Sequence, residues 1–325
     1  MRVLVTGGAG YIGSVAVALL LEHGYDVVAL DSLQRGHADA ITAGAEFISC
    51  DLRDPVATLE AVRSSGADAV LHFAALHLVP ESVDMPAEYY RTNVVGGLNL
   101  LDAVREAGIH KFVFSSTAAV YGDPQTLPIL EDSPTLPINP YGASKLMVER
   151  ILADYGQRYG INYAIFRYFN VSGSYKTLGE DHRPETHIIP VAIEAVTGKR
   201  EQFTVFGTDY GTSDGTAIRD YVHVVDLVEA HILALENLDT SLGIFNLGTT
   251  SGFSVTQIVE AVELTTDQRL PTAIGPRRPG DPPALIADST RARTVLGWNP
   301  VHSTLDAMIG SHWEWVLAHP NGYEN

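Results

Sequence analysis

A single cysteine, Cys50, among 325 residues rules out an intramolecular disulfide and argues against a secreted, cystine-stapled domain. Cys50 itself is expected to be a small buried apolar side chain. Long hydrophobic runs are also missing: no stretch reaches the roughly 18 uncharged apolar residues of a membrane span. The sequence begins Met1-Arg2-Val3-Leu4-Val5-Thr6-Gly7, with no basic leader followed by a long apolar segment, so a soluble, cytoplasmic protein is expected. Basic residues are scarce. Lys and Arg number 21 against 39 Asp and Glu, the net charge is −18, and no basic cluster exists. Nucleic-acid binding, which depends on clustered cations facing phosphates, is therefore not expected. An anionic ligand would need a few well-placed arginines set against an acidic whole.

Apolar residues, by contrast, make up 46% of the chain, enough to bury a sizeable core in one large domain or two closely joined ones. Through about residue 170, short β-branched runs at 3–6, 26–30, 46–49, 69–73, 111–116 and 162–167 read as strands. Between them, helical patterns cover 12–23, 55–65, 86–107 and 140–159. Strict alternation of this kind predicts an α/β fold with a doubly wound parallel sheet. Gly24, Gly108 and Gly160 follow helix ends, where a left-handed cap favours glycine, and Asn139-Pro140 opens the fourth helix as cap and first residue. After Gly173 the alternation weakens and loops at 207–215 and 275–283 appear. A first, Rossmann-type domain is thus expected over 1–172, completed by parts of 217–248, with 173–325 mainly forming a smaller C-terminal α/β substrate domain.

Two constellations carry chemistry. Gly7, Gly10 and Gly13 stand between the first strand and first helix, where glycines allow a tight turn and close backbone approach to a pyrophosphate at the helix's positive end. Asp31 ends the second strand, placed to accept hydrogen bonds from adenosine ribose hydroxyls and to repel a 2′-phosphate, which favours NAD over NADP. Asp51-Leu52, ending the third strand, would lie near the adenine. The second constellation is Tyr141 and Lys145, four apart and hence on one helix face. To act as a base near neutrality the phenol must fall from about 10 by about 3 units, and Lys145 with a positive nicotinamide is expected to supply that field. Thr117, ending the fifth strand, could pass a proton between a substrate hydroxyl and Tyr141.

Taken together, TGGAGYIGS at 6–14, HFAAL at 72–76, ESV at 81–83, YYRTNV at 89–94, FSSTAAVYG at 114–122, NPYGASK at 139–145, RYFN at 167–170, RDYVHV at 219–224 and RRPGD at 277–281 resemble the extended short-chain dehydrogenase/reductases. Within these they look most like the UDP-glucose (UDP-galactose) 4-epimerase family. The resemblance spans nearly the whole chain and implies NAD-dependent 4-epimerisation of a UDP-hexose through a transient 4-keto sugar, with tightly held NAD and a homodimer. For NAD it implies contacts from Gly7, Gly10, Tyr11, Ile12, Gly13, Asp31, Asp51, Leu52, Phe73, Ala74, Ala75, Asn93, Lys145 and Phe169. For the UDP-sugar it implies Thr117, Tyr141, Asn170, His187, Phe206, Arg219, Arg278, Asp281 and Leu285, with the two arginines on the diphosphate and Asp281 on the ribose.

Some positions depart from the family pattern. His77 stands where members often carry lysine, His187 where some have asparagine, and Leu285 where some have tyrosine and others a smaller residue. The sugar therefore stays open among UDP-hexoses, their N-acetylated forms, UDP-pentoses and UDP-uronates. Ala118-Ala119 lack the acid and base that a nucleotide-sugar dehydratase would need after the strand-end threonine. A net dehydrogenase or reductase remains a rival, as does a non-catalytic NAD sensor on the same scaffold, though a sensor would have no need of Tyr141 and Lys145. No metal is called for.

Overall fold

The computed structural model describes residues 1–278 and 281–323. Its centre is a seven-stranded parallel sheet in the order Gly243–Leu247, Asn162–Tyr168, Lys111–Thr117, Ala69–His72, Arg2–Thr6, Asp26–Asp31, Glu46–Ser49. The strands are apolar almost end to end, as in Arg2–Thr6 and Ala69–His72, because helices cover both faces. One face buries Val3, Val5, Val27 and Ala29 against Val15, Leu19 and Leu227; the other buries Leu4, Val28 and Val70 against Leu100, Leu101 and Leu152.

Chain order reverses across Arg2–Thr6, flanked by Asp26–Asp31 on one side and Ala69–His72 on the other. Loops leaving the carboxyl ends of adjacent strands part at such a switch point and open a crevice. The expected late return to the sheet is made by Gly243–Leu247, which pairs with Asn162–Tyr168 in register Phe245 to Phe166. Residues 217–223 behave differently. Tyr221–His223 pairs with Asn170–Ser172, and Ile218–Arg219 joins Phe253–Ser254 and Ala284–Leu285 in a separate three-stranded sheet. The following helix, Val224–Glu236, packs on the first helix, Tyr11–Glu22. A further apolar cluster, with Ile189, Ile193, Ile258, Val262, Met308 and Ile309, lies under the later part of the chain.

The long helix Pro140–Tyr159 forms as its ends dictate. The Asn139 side chain accepts from Gly142 N at 2.8 Å, Pro140 opens the first turn, and Gly160 closes the helix at φ 71°. The continuous α-helix expected over 86–107 is instead Pro86–Tyr89 and Gly96–Glu106 joined by a π-helical turn, Tyr90–Val95. That turn directs Asn93 inward. Its amide accepts from Leu76 N and donates to Leu76 O and Ser144 Oγ, tying the strand-end loop to the Tyr141 helix.

Two histidines sit neutral in the sheet region. Burial pushes His72 down to about 3, helped by the nearby Lys145 charge, and pushes His231 down to about 4 against the Leu227 carbonyl. In the unfolded chain both titrate near 6.5, so between about pH 6.5 and 4 the unfolded state binds more protons. Their contribution to stability is whole above about pH 6.5 and drains away as the pH falls toward 4. The expected result is a melting temperature that declines steadily from pH 6.5 to 4.5, with neither imidazole titrating above pH 5 by NMR. Titration of either near 6.5 in the folded protein would contradict the burial argument.

Candidate active site

A cleft of about 1070 Å³ opens at the carboxyl ends of the sheet strands and runs under the small three-stranded sheet. Of the site residues expected from sequence, every one but Asn93 lines this cleft, and Asn93 braces its wall from behind.

The first strand ends at Thr6 and the chain turns at Gly7, φ +74°, whose amide donates to Leu30 O at 2.8 Å. A Cβ at Gly7 would lie 2.6 Å from Ala74 N, and one at Gly13 would lie 2.0 Å from Gly7 O. Gly10 faces only Gly7 O, at 3.3 Å from such a Cβ, so its outer side is open to the cleft. Backbone packed this closely is what a dinucleotide pyrophosphate needs to approach a helix N-terminus. Asp31 is held rigidly, one oxygen accepting from Ala9 N at 3.1 Å and the other from Leu33 N at 2.8 Å. Burial raises its pKa, and these amides work against that rise. Each oxygen keeps a lone pair for a ribose hydroxyl. Arg35 also lines the cleft, but its guanidinium is paired with Glu81, so it does not present a free cation to a 2′-phosphate. Asp51, on the rim, is gripped by Arg53, which lowers its pKa.

Tyr141 lies in the first turn of its helix with its hydroxyl beside Thr117. Thr117 Oγ1 in turn accepts from Ala119 N at 3.1 Å, which fixes its rotamer. Here the electrostatics differ from the sequence expectation. Burial pushes the Tyr141 phenol up to about 12, while the Thr117 hydroxyl pulls it down. The lysine is engaged elsewhere: its ammonium donates to Ser115 O at 2.8 Å and lies 5.0 Å from the Phe114 ring centroid. Burial brings Lys145 down to about 7, partly resisted by Glu149. A lysine so placed is close to half-charged at neutrality, and a further cation in the cleft is needed to ionise the phenol.

At the far end, Arg278 lays its guanidinium 4.3 Å from the Phe206 ring centroid. Arg219 is paired with Asp281 and also donates to Pro282 O at 2.9 Å. These two residues, expected to serve different parts of a nucleotide, hold each other in place here. Of the RRPGD segment, Pro279 and Gly280 lie outside the described residues. Asn170 donates to Asp220 O at 2.8 Å, and Leu285 borders the cleft beside it. The sequence reading missed the acidic and histidine residues Glu180, His182 and Glu185, which also line the cleft beside His187. Their one signal was the alternation Glu-x-His-x-x-Glu-x-His in a loop.

Comparison with known proteins agrees with this geometry. The model of the NAD dependent epimerase/dehydratase family matches residues 3–248. A UDP-glucose 4-epimerase of Lactobacillus helveticus is 49% identical over 100% of both chains. The crystal structure of UDP-glucose 4-epimerase from Brucella ovis in complex with NAD superposes with a TM-score of 0.93 at 45% identity, covering 96% of this chain and 97% of that one. The Bifidobacterium longum UDP-glucose 4-epimerase in complex with NAD+ and UDP gives 0.93 at 37% identity, covering 99% and 100%.

Proposed function

Since the chain belongs to the NAD dependent epimerase/dehydratase family, we propose a division of labour along the cleft for its reaction, NAD-dependent 4-epimerisation of a UDP-hexose through a transient 4-keto sugar. Supporting this reading is one observation above others. The Gly7–Gly13 turn, the Tyr141, Thr117 and Lys145 side chains and the Arg219 and Arg278 guanidiniums border one continuous cavity. The tight contacts behind Gly7 and Gly13 and the firmly held Asp31 suit a dinucleotide. NAD, when bound, supplies the acceptor and donor of the C4 hydride and a positive ring beside the phenol.

Tyr141 takes the O4 proton, directly or through Thr117, as C4 is oxidised, and returns it when C4 is reduced from the other face. Lys145 would help to hold the cofactor and would add partial positive charge near the phenol. Arg219 and Arg278 hold the diphosphate and Asp281 the ribose, so that the uridine end is anchored while the sugar turns. For Arg219 this requires the Asp281 carboxylate to shift its grip from guanidinium to ribose. Residues 1–172, completed by parts of 217–248, carry NAD, and 173–325 mainly carry the nucleotide sugar. The enzyme is a cytoplasmic homodimer in this reading. Cys50 is free and buried, and among the described residues no helix is long and apolar enough to cross a membrane. Val95 at the end of the π turn, Leu98 on the Gly96–Glu106 helix and Met147 on the Pro140–Tyr159 helix are exposed, which suits pairing of these helices across a two-fold axis.

The deciding experiment incubates purified protein, without added cofactor, with a panel of UDP-sugars. Interconversion of UDP-glucose and UDP-galactose is expected; failure on the whole panel, or turnover only with stoichiometric added NAD, would overturn the reading. Arg278→Ala should raise KM for the UDP-sugar by about 10- to 100-fold, the worth of a charge-assisted hydrogen bond of about 1.5–3 kcal/mol, and leave kcat nearly unchanged. A fall in kcat with KM constant would remove Arg278 from the diphosphate.

A further inference from the structure

The loop that runs from Gly179 to the start of helix Ile188–Val196 brings two carboxylates and two imidazoles to one point in the cleft wall. One ligating atom from each of Glu180, His182, Glu185 and His187 lies within 4.8 Å of the others. His187 Nδ1 is 2.8 Å from a Glu180 oxygen and 2.9 Å from a Glu185 oxygen, and His182 Nδ1 is 3.1 Å from Glu180 and 3.8 Å from Glu185. From these residues and their placement we propose that Glu180, His182, Glu185 and His187 bind one divalent transition-metal ion of the zinc class.

Charge is the first support. Both carboxylates are buried, with side chains 2% and 4% exposed, and burying ionised carboxylates without compensation is costly. Among the described residues no lysine or arginine forms an ion pair with either. Arg200 is committed to the Glu194 carboxylate and the Glu185 backbone carbonyl. Two carboxylates match the charge of one divalent cation.

Geometry is the second. His182 Nδ1 is buried and has no hydrogen-bond partner despite lying 3.1 Å from Glu180. Lone pairs of ligands converging on a common centre produce this pattern, close but not aligned for a hydrogen bond. Metal bonds of about 2.0–2.2 Å in a tetrahedron place ligand atoms about 3.3–3.6 Å apart, and the four separations straddle that range. Two imidazoles with two carboxylates suit zinc, and imidazole disfavours magnesium or calcium. The surroundings fit as well. Backbone amides of Thr186 and His187 hold the Glu185 carboxylate at 2.6 and 2.7 Å, and His77 covers the pair of imidazoles at ring distances of 4.6 and 5.9 Å. The ion would fasten the loop through His187 Nδ1 and leave the other ring nitrogen as the one a sugar can meet.

The rival arrangement is a protonated His187 shared by the two carboxylates with no ion at all. Metal binding decides between them independently of turnover, so its failure would leave the epimerase reading untouched. The full-length protein, treated with chelator and desalted, is titrated calorimetrically with zinc chloride. One equivalent binding with Kd below 1 μM is expected, along with a rise in melting temperature. His182→Ala and, separately, Glu180→Gln should each weaken that equivalent about 100-fold or more. X-ray absorption of zinc-loaded wild-type protein, which needs no variant to fold, should show two imidazoles among four nitrogen or oxygen ligands. Absence of a tight equivalent, its survival in His182→Ala, or a spectrum without two imidazoles would each overturn the proposal.

Discussion

Tyr141→Phe should retain its NAD through purification and lose about 10³-fold in kcat, within the range that removing a positioned acid–base group costs. The structure explains both halves of this expectation. The phenol contributes nothing to the tight backbone turn at Gly7 and Gly13, where the proposed site would grip the dinucleotide, so the cofactor should stay. Its hydroxyl is bordered by Thr117, and a threonine hydroxyl cannot itself hold the sugar's proton near neutrality. In the chain alone the phenol stands at about 12, so ionising it at neutrality demands about 5 units, or about 7 kcal/mol, of favourable field. Lys145, lowered by burial to about 7 and turned to the Ser115 carbonyl, does not provide it alone, and the loaded cleft must do so. The measurement is turnover of UDP-galactose together with NAD released on denaturation. A variant active within tenfold of wild type would show that another group moves the proton.

Arg167→Met should destabilise the protein by about 3–5 kcal/mol, because it strands a buried charge. Arg167 and Glu149 are each about 4% exposed and meet through two hydrogen bonds, 3.0 and 2.6 Å long. With the guanidinium gone, the Glu149 carboxylate would keep only the Ser116 hydroxyl, at 2.5 Å. Arg167 also donates to Tyr121 Oη and to Glu131 O, so the loop beyond the fifth strand would loosen too. Replacing both partners, Glu149→Leu with Arg167→Met, should cost less than the single change, since no unpaired charge remains. Denaturant unfolding of the three proteins tests this. A single variant within about 1 kcal/mol of wild type would mean that the carboxylate takes up a proton or finds water instead. The pair also bears on the proposed catalytic site, because Glu149 is the group that supports the charge on Lys145.

Much of this architecture can be read along the chain because it is written in local signals. Six strands, the Asn139-Pro140 helix start, the Gly160 stop and the Gly7–Gly13 turn depend on residues close in sequence, and each appears where its residues place it. The four-residue spacing of Tyr141 and Lys145 likewise survives into one cleft. What the sequence does not carry depends on distant partners. Hydropathy is blind to the π turn at Tyr90–Val95, whose reward is the Asn93 bridge to Leu76 and Ser144. A helix face says nothing about whether Lys145 is aimed at Tyr141 or at the Ser115 carbonyl on a neighbouring strand. The mutual grip of Arg219 and Asp281 joins residues 62 apart, and the packing of His77 against His182 and His187 joins segments more than a hundred residues apart. Local rules describe the scaffold, and long-range packing sets the charges that work on it.

The pairing of Gly243–Leu247 with Asn162–Tyr168 has a consequence for how the protein is made. A nascent chain that has emerged only as far as residue 172 has six strands of the sheet, but the strand carrying Arg167 is still an open edge, its backbone groups available to any neighbouring chain. The edge closes only when residues 243–247 have cleared the ribosome. Until then the half-finished sheet is a template for aggregation, and a chain truncated after residue 172 should be recovered mainly as insoluble material.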